Sequence, residues 1–487
     1  MTVTNLLQDT PFDTFRPGQE EVISAILSGR DTLAVLPTGS GKTLCYQLPA
    51  GIMPGLTIVV SPLVSLMDDQ VTQLKMNGFQ RVAALHGNKP PAEKKRIWQK
   101  LHLLKLLYVS PEMLAVEKIR SQFKKINVPL LVVDEAHCIS QWGHEFRPDY
   151  QNLGRFRKEL GEPVLLALTA TASERVRSDI MSSLNLQNPV IEAHSVNREN
   201  IFLAIETQHD PQSRQQRLME LVTSAAKPCI IYTGTRRDAE VWSSLYKGAS
   251  AYYHGGMHAE DRNSIQGQFL YNEIDVLFAT SAFGMGINKP DVRSVIHGYM
   301  PPSIEQYVQE IGRAGRDGER AIAYAVLAES DFVLPWHFVE MEIPGQKWLQ
   351  EELLPASETP GKLEELIEGA PFAEHTTSLL RSHLIKAKAK GSERKRIERL
   401  MTHFEQRRRE RSQQIQKMTD FVHAPSCFRK QVLAYFEEEP FAADKWCCSN
   451  CHPVPKLSSA LVKLESTVGW QALLKQKLHV GAEQNET

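Results

Sequence analysis

Short apolar runs rich in β-branched residues alternate with amphipathic stretches from about residue 30 to about residue 330. Such runs, separated by helical patterns, are typical of parallel sheets that carry helices on both faces. A polar stretch, Thr207–Arg214, divides the runs into two series, so we predict two α/β domains that meet near residues 196–215. The predicted strands are Thr32–Leu36, Thr57–Ser61, Leu106–Val109, Leu130–Val133 and Val164–Leu168, then Cys229–Tyr232, Ala251–His254, Asp275–Ala279, Ser294–His297 and Ala321–Val326.

The strand pattern ends after Pro335, and the rest of the chain has a different character. Residues 345–375 are rich in Pro, Gly and Glu, which suggests a surface connection. A long helical pattern then extends from Leu380 to Val422 and contains many Lys and Arg side chains. This segment is either a solvated helix with ion pairs four residues apart or a basic face that meets phosphates, and the two interpretations are compatible.

Length and pattern together predict the domain boundaries. At roughly 150 residues per domain, a chain of 487 residues has room for about three domains. We predict α/β domains at residues 1–200 and 201–340, a small helical subdomain at 341–455 and a C-terminal tail at 456–487.

Composition excludes several classes of protein. Hydrophobic residues make up 42% of the chain, too many for a disordered protein. We find neither a run of about 18 apolar residues, as a transmembrane helix requires, nor the basic and apolar start of a secretory signal. A cytoplasmic protein without membrane contact is therefore expected. The net charge of −1 neither indicates nor excludes nucleic acid, because a basic track can lie within a neutral total.

A glycine-rich segment at residues 36–43, LPTGSGKT, follows the first predicted strand and precedes a helix. Glycines let backbone N–H groups turn toward phosphate oxygens at a helix N-terminus that already favours anions. Lys42 would neutralise the β and γ phosphates of a nucleotide, and the Thr43 hydroxyl would hold Mg²⁺. The strict pattern has a glycine where this chain has Leu36. The predicted nucleotide-binding residues of this segment are Thr38, Gly39, Ser40, Gly41, Lys42 and Thr43.

Two further motifs complete a hydrolytic site. The predicted strand Leu130–Val133 ends in Asp134 and Glu135. There Asp134 can hold Mg²⁺ through water, and Glu135 can position and deprotonate the attacking water. In the second series, Arg313 and Arg316 lie three residues apart, on one face of a helical turn. An arginine that meets the charge of a phosphoryl transition state contributes about 10³- to 10⁵-fold in rate. The alternatives are a helix cap for the carboxylates and a surface ion-pair role for the arginines.

Together these segments resemble superfamily two helicases and, within them, the RecQ family of DNA helicases. The resemblance extends from Phe12 to about Val454. Its most specific segment is Asp134–Tyr150, DEAHCISQWGHEFRPDY, with further matches at Phe15–Glu20 and Ala282–Pro290. The family implies two tandem RecA-like domains, each a parallel sheet flanked by helices, followed by a small helical subdomain of the zinc-binding type.

The resemblance also implies roles for residues outside the three motifs. Phe12 would stack on adenine, while Arg16 and Gln19 would bind the nucleotide, Gln19 by reading the adenine edge. Stacking of an aromatic side chain on a base contributes about 1–3 kcal/mol without regard to sequence, although Trp142 and Phe146 are also plausible core residues. The residues implied to couple single-stranded DNA to hydrolysis are Trp142, His144, Phe146, Arg147, Thr169 and Thr171. The segments implied to contact DNA or to couple it are 61–63, 110–112, 232–236 and 282–288.

Of seven cysteines, four cluster near the C-terminus, and without a secretion signal such a cluster indicates a metal rather than disulfides. The resemblance implies a zinc subdomain that uses one upstream cysteine and three closely spaced ones. The family's last cysteine would fall on or near Val454, where this chain has none. Cys447 or His452 is therefore the candidate for the fourth ligand, and Cys447 is favoured. The alternative is a set of reduced thiols without metal. The predicted ligands are Cys427, Cys447, Cys448 and Cys451.

The sequence therefore predicts an ATP- and Mg²⁺-dependent DNA helicase that acts on single-stranded and duplex DNA. Its 3′→5′ polarity, and its use in recombination, repair or replication-fork maintenance, are implied by the family alone. The alternatives are a DNA-dependent ATPase that translocates without separating strands, an ATP-gated DNA-binding protein, and a motor specific for RNA. A nucleoid-associated monomer is expected, with a single-stranded-DNA-binding protein and other repair proteins as candidate partners.

The chain after Pro455 is too short for the winged-helix and small helical nucleic-acid-binding (HRDC) domains that longer family members carry. It therefore resembles the short RecS-type bacterial form. The basic segment 386–417 is our candidate for the missing grip on duplex DNA, so charge reversal at Arg407, Arg408 and Arg409 is expected to weaken DNA binding.

Overall fold

Two parallel sheets follow one another along the chain in the computed structural model. The structure describes residues 6–7, 13–140, 147–284, 289–357, 362–372, 376–377, 380–381, 384, 393–439 and 445–457. The first sheet with its helices is called domain 1 and the second sheet with its helices domain 2. The predicted fold class, parallel sheets flanked by helices and followed by a helical region with a cysteine cluster, is confirmed.

In domain 1, parallel strands pair in the order β3-β4-β2-β5-β6-β1-β7. The strands are β1 (Thr32–Val35), β2 (Thr57–Val60), β3 (Val82–Leu85), β4 (Leu106–Val109), β5 (Leu130–Val133), β6 (Val164–Thr169) and β7 (Val190–Ala193). The helices are α1 (Gln19–Leu27), α2 (Leu44–Ile52), α3 (Val64–Met76), α4 (Pro91–Gln99), α5 (Pro111–Ala115), α6 (Glu117–Phe123), α7 (Leu153–Glu159) and α8 (Glu174–Ser183). Separate apolar clusters pack on the two faces of this sheet, which explains why its central strands are apolar at nearly every position.

In domain 2, parallel strands pair in the order β10-β11-β9-β12-β13-β8. The strands are β8 (Ile201–Gln208), β9 (Cys229–Tyr232), β10 (Ser250–Tyr253), β11 (Val276–Ala279), β12 (Ser294–His297) and β13 (Ala321–Ala328). The helices are α9 (Pro211–Ser224), α10 (Arg236–Leu245), α11 (Ala259–Leu270) and α12 (Ile304–Ile311). The sequence pattern did not indicate β3, β7 and β8, and each of these strands lies at the edge of its sheet. An edge strand is covered on fewer sides, and this explains the weak apolar pattern of β7, where the burial alternates between half-buried and exposed residues.

The prediction of a surface connection at residues 345–375 is wrong for the part that the structure describes. This part is helical, and Leu349, Leu353, Leu363 and Ile367 are buried in the core of domain 2. The two pairs are each spaced four residues apart, so each pair faces one side of its helix. The elements are α13 (Leu334–Glu342), α14 (Gln346–Trp348), a π-helical turn at Leu349–Leu353, α15 (Leu354–Ser357) and α16 (Lys362–Glu368).

The basic helical pattern forms one continuous helix, α17 (Glu393–His423), which is followed by α18 (Phe428–Tyr435). Its neighbouring arginines differ in their surroundings. Arg408 Nη2 donates a hydrogen bond of 2.7 Å to the carbonyl oxygen of Ile343, and Arg407 is half-buried, which lowers its pKa. Arg409 is exposed. Charge reversal at all three positions would therefore disturb folding as well as any DNA contact.

None of the helices in the described ranges combines the length and the apolar character that crossing a bilayer demands.

We predict that Arg408→Ala lowers the free energy of unfolding by about 1–3 kcal/mol, because the buried carbonyl of Ile343 loses its charged donor. Denaturant unfolding, followed through the midpoint of the transition, measures this loss. Arg409→Ala, one residue further along the same helix, is the matched control and should change stability by less than about 0.5 kcal/mol. Equal midpoints for the two variants would contradict the structural role of Arg408.

Candidate nucleotide cleft and cysteine cluster

Three neighbouring strands of domain 1 bring the predicted motifs together. β6 pairs with β1 on one side and with β5 on the other, with Val35 opposite Thr169 and Val133 opposite Ala167. Parallel strands end at the same edge of a sheet, and ligands bind at the edge formed by their carboxyl ends. The glycine-rich segment after β1, the carboxylates after β5 and the Thr169–Thr171 segment at the end of β6 therefore lie side by side.

The glycine-rich segment requires glycine at two positions. Gly39 has φ +89° and Gly41 has φ +75°, conformations that residues with a side chain rarely adopt. Space is also lacking, because a Cβ atom at Gly39 would lie 2.9 Å from Cγ of Arg316, and one at Gly41 would lie 2.7 Å from Nε2 of Gln19. The segment runs directly into the N-terminus of α2, and the N–H groups at the start of a helix favour the binding of a phosphate.

Gln19 and Arg16 brace this loop through its carbonyl groups. The Gln19 amide nitrogen donates to the carbonyls of Ser40 at 2.8 Å and Gly41 at 3.1 Å, and its oxygen accepts from Arg16 N at 2.9 Å. The Arg16 guanidinium donates to the carbonyl of Gly39. Both residues therefore lie at the loop, and their contact with an adenine or a nucleotide stays a prediction.

The two carboxylates follow β5 directly. Asp134 N donates to the carbonyl of Val60 at 2.9 Å, which fixes the end of the strand between its neighbours, and Glu135 adopts a left-handed conformation with φ +47°. Burial and the adjacent charge of Glu135 raise the pKa of Asp134 to about 7, against the opposing effect of Lys42. Two carboxylates so close together in a desolvated place disfavour each other's charge, and a nearby cation relieves this cost.

Oxygen ligands suited to Mg²⁺ converge at this point, since Asp134, Glu135 and Thr43 line the same cavity. The Thr43 hydroxyl donates to Oε1 of Gln70 at 3.2 Å, a contact that orients the hydroxyl group. Oε2 of Glu135 is a buried atom that accepts no hydrogen bond from the described residues. Such a donor set fits a hard divalent cation and an adjacent water molecule.

A buried histidine connects the carboxylates to the end of β6. His137 Nδ1 lies 2.9 Å from the Thr169 hydroxyl and 3.3 Å from Oε2 of Glu135. The Thr169 hydroxyl donates to the carbonyl of Thr171 at 3.0 Å, so it must accept from His137, which assigns the proton to Nδ1. A change at Glu135 can therefore reach the Thr169–Thr171 segment through one side chain.

Domain 2 supplies the opposite wall of the cleft. A cavity of about 340 Å³ is lined by Lys42, Asp134 and Glu135 from domain 1 and by Arg313 and Arg316 from domain 2. Burial, and the neighbouring cations Arg313 and Arg198, lower the pKa of Arg316 to about 9. Two desolvated cations held side by side favour the binding of an anion in the space between the two walls of the cleft.

The other predicted site residues do not all lie within the part of the chain that the structure describes. Phe12, Trp142, His144 and Phe146 lie outside the described residues. Arg147 is half-buried; its N–H donates to the carbonyl of Cys138 at 2.9 Å, and its Nη1 lies 3.7 Å from Oε1 of Glu112.

Sequence reasoning missed Arg198, which lies between the two sheets and donates to the carbonyls of Thr38 and Gly312, one on each side of the cleft. No motif marks this arginine, because its partners are backbone atoms distant in sequence. Gln70, the partner of Thr43, was missed for the same reason: its helix carries no recognisable motif.

The four C-terminal cysteines form a compact cluster. The sulfur atoms of Cys427, Cys447, Cys448 and Cys451 all lie within 4.8 Å of one another, and His452 is not part of this group among the described residues. The sulfur atom of Cys427 lies 3.5 Å from that of Cys447 and 3.8 Å from that of Cys448, and the sulfur atoms of Cys448 and Cys451 lie 3.5 Å apart. A tetrahedral zinc with bonds of about 2.3 Å to sulfur requires sulfur atoms about 3.8 Å apart. The spacing therefore fits zinc, and Cys447 rather than His452 completes the set.

The crowded thiols change one another's pKa in both directions, and hydrogen bonds from the backbone of Lys430 and from the neighbouring thiols lower the pKa of Cys427 against the effect of burial. Burial and hydrogen bonds from neighbouring thiols raise the pKa of Cys451 to about 11, and the same causes raise the pKa of Cys447. A divalent metal would supply the positive charge that four crowded thiolates need, with release of their protons.

Comparison with known proteins agrees with this geometry. Residues 16–180 match the DEAD/DEAH box helicase family, residues 213–318 the helicase conserved C-terminal domain, and residues 391–452 the RecQ zinc-binding family. The chain is 39% identical over 455 residues to the probable ATP-dependent DNA helicase RecS of Bacillus subtilis, an alignment that covers 92% of this chain and 91% of that protein. It is 41% identical over 377 residues to the ATP-dependent DNA helicase RecQ of Haemophilus influenzae.

The Haemophilus alignment covers 75% of this chain but 58% of that relative, so the chain spans less than two thirds of the longer protein. Among solved structures, the chain is similar to the helicase Lhr of Mycobacterium smegmatis, which was determined with single-stranded DNA and AMP-PNP. The TM-score is 0.55 at 21% identity, with 78% of this chain and 56% of that chain covered. This similarity shows a shared fold.

We predict that the protein purified without chelator contains about one zinc ion per chain and that Cys451→Ser loses most of it, because tetrahedral zinc needs all four ligands. Elemental analysis measures the metal, and thermal unfolding should show a lower midpoint for the variant. Cys229→Ala, which removes a buried thiol on β9 outside the cluster, is the matched control and should keep its zinc. Metal-free wild-type protein would exclude the zinc site.

Proposed function

The chain belongs to the RecQ family of helicases, and from this premise we propose that it is an ATP-dependent DNA helicase. The observation that carries the proposal is the cavity between the domains, where Lys42 and Glu135 of one domain face Arg313 and Arg316 of the other. Neither domain alone holds both the nucleotide-binding loop and the arginines. Hydrolysis in such a site depends on closure of the domains, and this dependence is the requirement of a motor.

In the proposed reaction, the backbone N–H groups of residues 38–43 and the ammonium group of Lys42 hold the phosphates of ATP. Thr43 and Asp134 would hold Mg²⁺, which neutralises phosphate charge when bound. Glu135 orients the attacking water and accepts its proton. Arg313 and Arg316 stabilise the charge that develops on the transferred phosphoryl group.

Loss of the γ phosphate removes the anion that attracts the two walls of the cleft to each other. The domains then separate, and the next ATP closes them again. The contact of His137 with Glu135 and Thr169 supports a route from hydrolysis to the Thr169–Thr171 segment. Loops that begin at Ser61 and Ser110 follow the neighbouring strands β2 and β4 at the same edge of the sheet, which suits them to contact the DNA backbone.

Alternating grip by the two domains moves the protein along single-stranded DNA, and we propose the 3′→5′ direction by analogy with the family. Strand separation must offset about 1.4 kcal/mol of stacking per base-pair step, which ATP hydrolysis can supply. Recombination, repair and replication-fork maintenance are the proposed uses, at the nucleoid in the cytoplasm. In this proposal zinc at the cysteine cluster is structural, since no thiol of the cluster lines the cleft among the described residues.

ATP hydrolysis and strand displacement should be measured on the same duplex with a 3′ tail, a 5′ tail or blunt ends. We expect DNA-stimulated hydrolysis, and displacement from the 3′-tailed duplex alone, because the protein loads on the tail and moves toward the junction. Lys42→Ala is the inactive control. Displacement from the 5′-tailed duplex alone would show the opposite polarity, 5′→3′.

DNA-stimulated hydrolysis without displacement from any of these substrates would identify a translocase. Absence of stimulation by DNA would exclude the proposed function. The same assay with RNA in place of DNA separates a DNA motor from an RNA motor.

Glu135→Gln should lower the rate of DNA-stimulated ATP hydrolysis by about 10²- to 10⁴-fold, because the amide cannot accept the proton of the water. Binding of a fluorescent ATP analogue should change little, since size and hydrogen-bonding capacity are kept. Glu117→Gln, at the exposed start of α6, makes the same chemical change away from the cleft and should hydrolyse ATP at the wild-type rate. Hydrolysis by Glu135→Gln within about threefold of wild type would assign the base to another group.

A further inference from the structure

Arg198 lies in the segment that connects β7 of domain 1 to β8 of domain 2. Its Nη1 donates to the carbonyl of Thr38 at 3.2 Å and to that of Gly312 at 3.3 Å. Its Nη2 donates to the carbonyls of Ala314 at 3.1 Å and Gly315 at 2.6 Å. One guanidinium group therefore binds the backbone of the nucleotide loop and the backbone of the segment that carries the cleft arginines.

The geometry of these bonds requires arginine. A guanidinium group is planar and presents its donors in a fixed fork, whereas a lysine ammonium is a single point with rotating donors. Burial lowers the pKa of Arg198, with the charge of Asp317 in opposition, so the cation is held where water does not solvate it freely. A buried cation is costly unless its donors are satisfied. The four carbonyls meet that need only while both domains stand in this relative position.

Another arginine, Arg429 on α18, is buried and fixes the connection itself. Its Nη1 donates to Oδ1 of Asn197 at 2.8 Å and to the carbonyl of Arg198 at 2.9 Å. Its Nη2 donates to the carbonyl of Ile201, the first residue of β8, and to the carbonyl of Cys447 at 3.3 Å. The backbone of Arg198 is thus held by the helix that follows the first cysteine of the cluster.

We propose that Arg198 is a positioning residue that sets the segment Gly312–Arg316 in register with the nucleotide loop, and that Arg429 holds Arg198 in place. The inference rests on the proposed function, because register matters if Arg313 and Arg316 act on the ATP phosphates. Arg198 does not line the cavity among the described residues, so it acts through the backbone and not on the nucleotide.

The register can be measured without nucleotide or DNA. Hydrogen exchange of the free protein should be faster in Arg198→Lys over two peptides, residues 36–43 and 312–320, because each loses a bonded partner. Arg157→Lys is the matched control: its guanidinium bonds Asp31 and the carbonyl of Pro163 within domain 1. This control should leave both peptides at the wild-type rate. Unchanged exchange of both peptides in Arg198→Lys would overturn the inference.

We expect the variant to change kcat for ATP hydrolysis more than KM for ATP. Misplacement of catalytic groups by about 1 Å can cost about 10²-fold, so kcat for ATP should fall about 10- to 100-fold in Arg198→Lys. KM should stay within about threefold, because the phosphate-binding loop keeps its own residues. In an Arg316→Ala background, the added Arg198→Lys change should have less than about a threefold effect on kcat, as expected for residues that act together. A full, additive loss would overturn the inference.

Arg429→Lys is the second variant, and it is used to test the proposal if Arg198→Lys does not fold. It leaves Arg198 in the chain and should still speed exchange over residues 312–320. Exchange at the wild-type rate in this variant would overturn the role of Arg429. If wild-type protein shows no DNA-stimulated hydrolysis, the proposed helicase function fails, whereas the exchange measurements still decide the register independently.

Discussion

Cations outnumber carboxylates along the described lining of the cavity between the domains: Asp134 and Glu135 lie there with Arg16, Lys42, Arg313 and Arg316. Asp134 and Glu135 crowd two carboxylates at the end of β5, and burial raises the pKa of Asp134 to about 7. On the other wall, Arg313 and burial lower the pKa of Arg316 to about 9. Under the proposed function, a nucleotide with its metal ion would balance these charges, with the cation held at the carboxylates and the terminal phosphate facing the arginines. We propose that this excess of positive charge makes closure of the domains depend on the ligand.

This arrangement depends on strand order more than on sequence proximity. β5 and β1 are far apart along the chain, yet β6 pairs with both and places their ends at one edge of the sheet. The strand between them contributes Thr169, whose hydroxyl meets His137 from the β5 side. The three segments therefore lie side by side, and the contacts of His137 with Glu135 and Thr169 link the end of β5 to the end of β6.

There are physical reasons why some strands and site residues were predictable from the sequence and others were not. The central strands were recognised because burial on both faces makes nearly every position apolar, whereas β3, β7 and β8 lie at sheet edges, and β7 carries a mixed pattern of half-buried and exposed residues. The motifs for the nucleotide loop, the carboxylates and the arginines were recognisable because phosphate chemistry dictates residue types at fixed spacing. Arg198 was not, since a side chain that bonds only backbone carbonyls leaves no mark on the residues it binds. Residues 345–375 were misassigned because Pro, Gly and Glu concealed two pairs of apolar residues at helical spacing.

The cysteine cluster belongs to the same folding unit as domain 2. One buried apolar cluster includes strands of the second sheet, helices α12 and α17, and both Cys447 and Cys448. The backbone joins them as well, since Leu203 N donates to the carbonyl of Cys447 at 3.1 Å and Ser449 N donates to the carbonyl of Leu203 at 2.8 Å. The cluster thereby covers the edge strand β8, which would otherwise expose unpaired backbone groups. Because β8 is also where the connection from domain 1 enters, any loosening of the cluster would loosen the place where the two domains are joined.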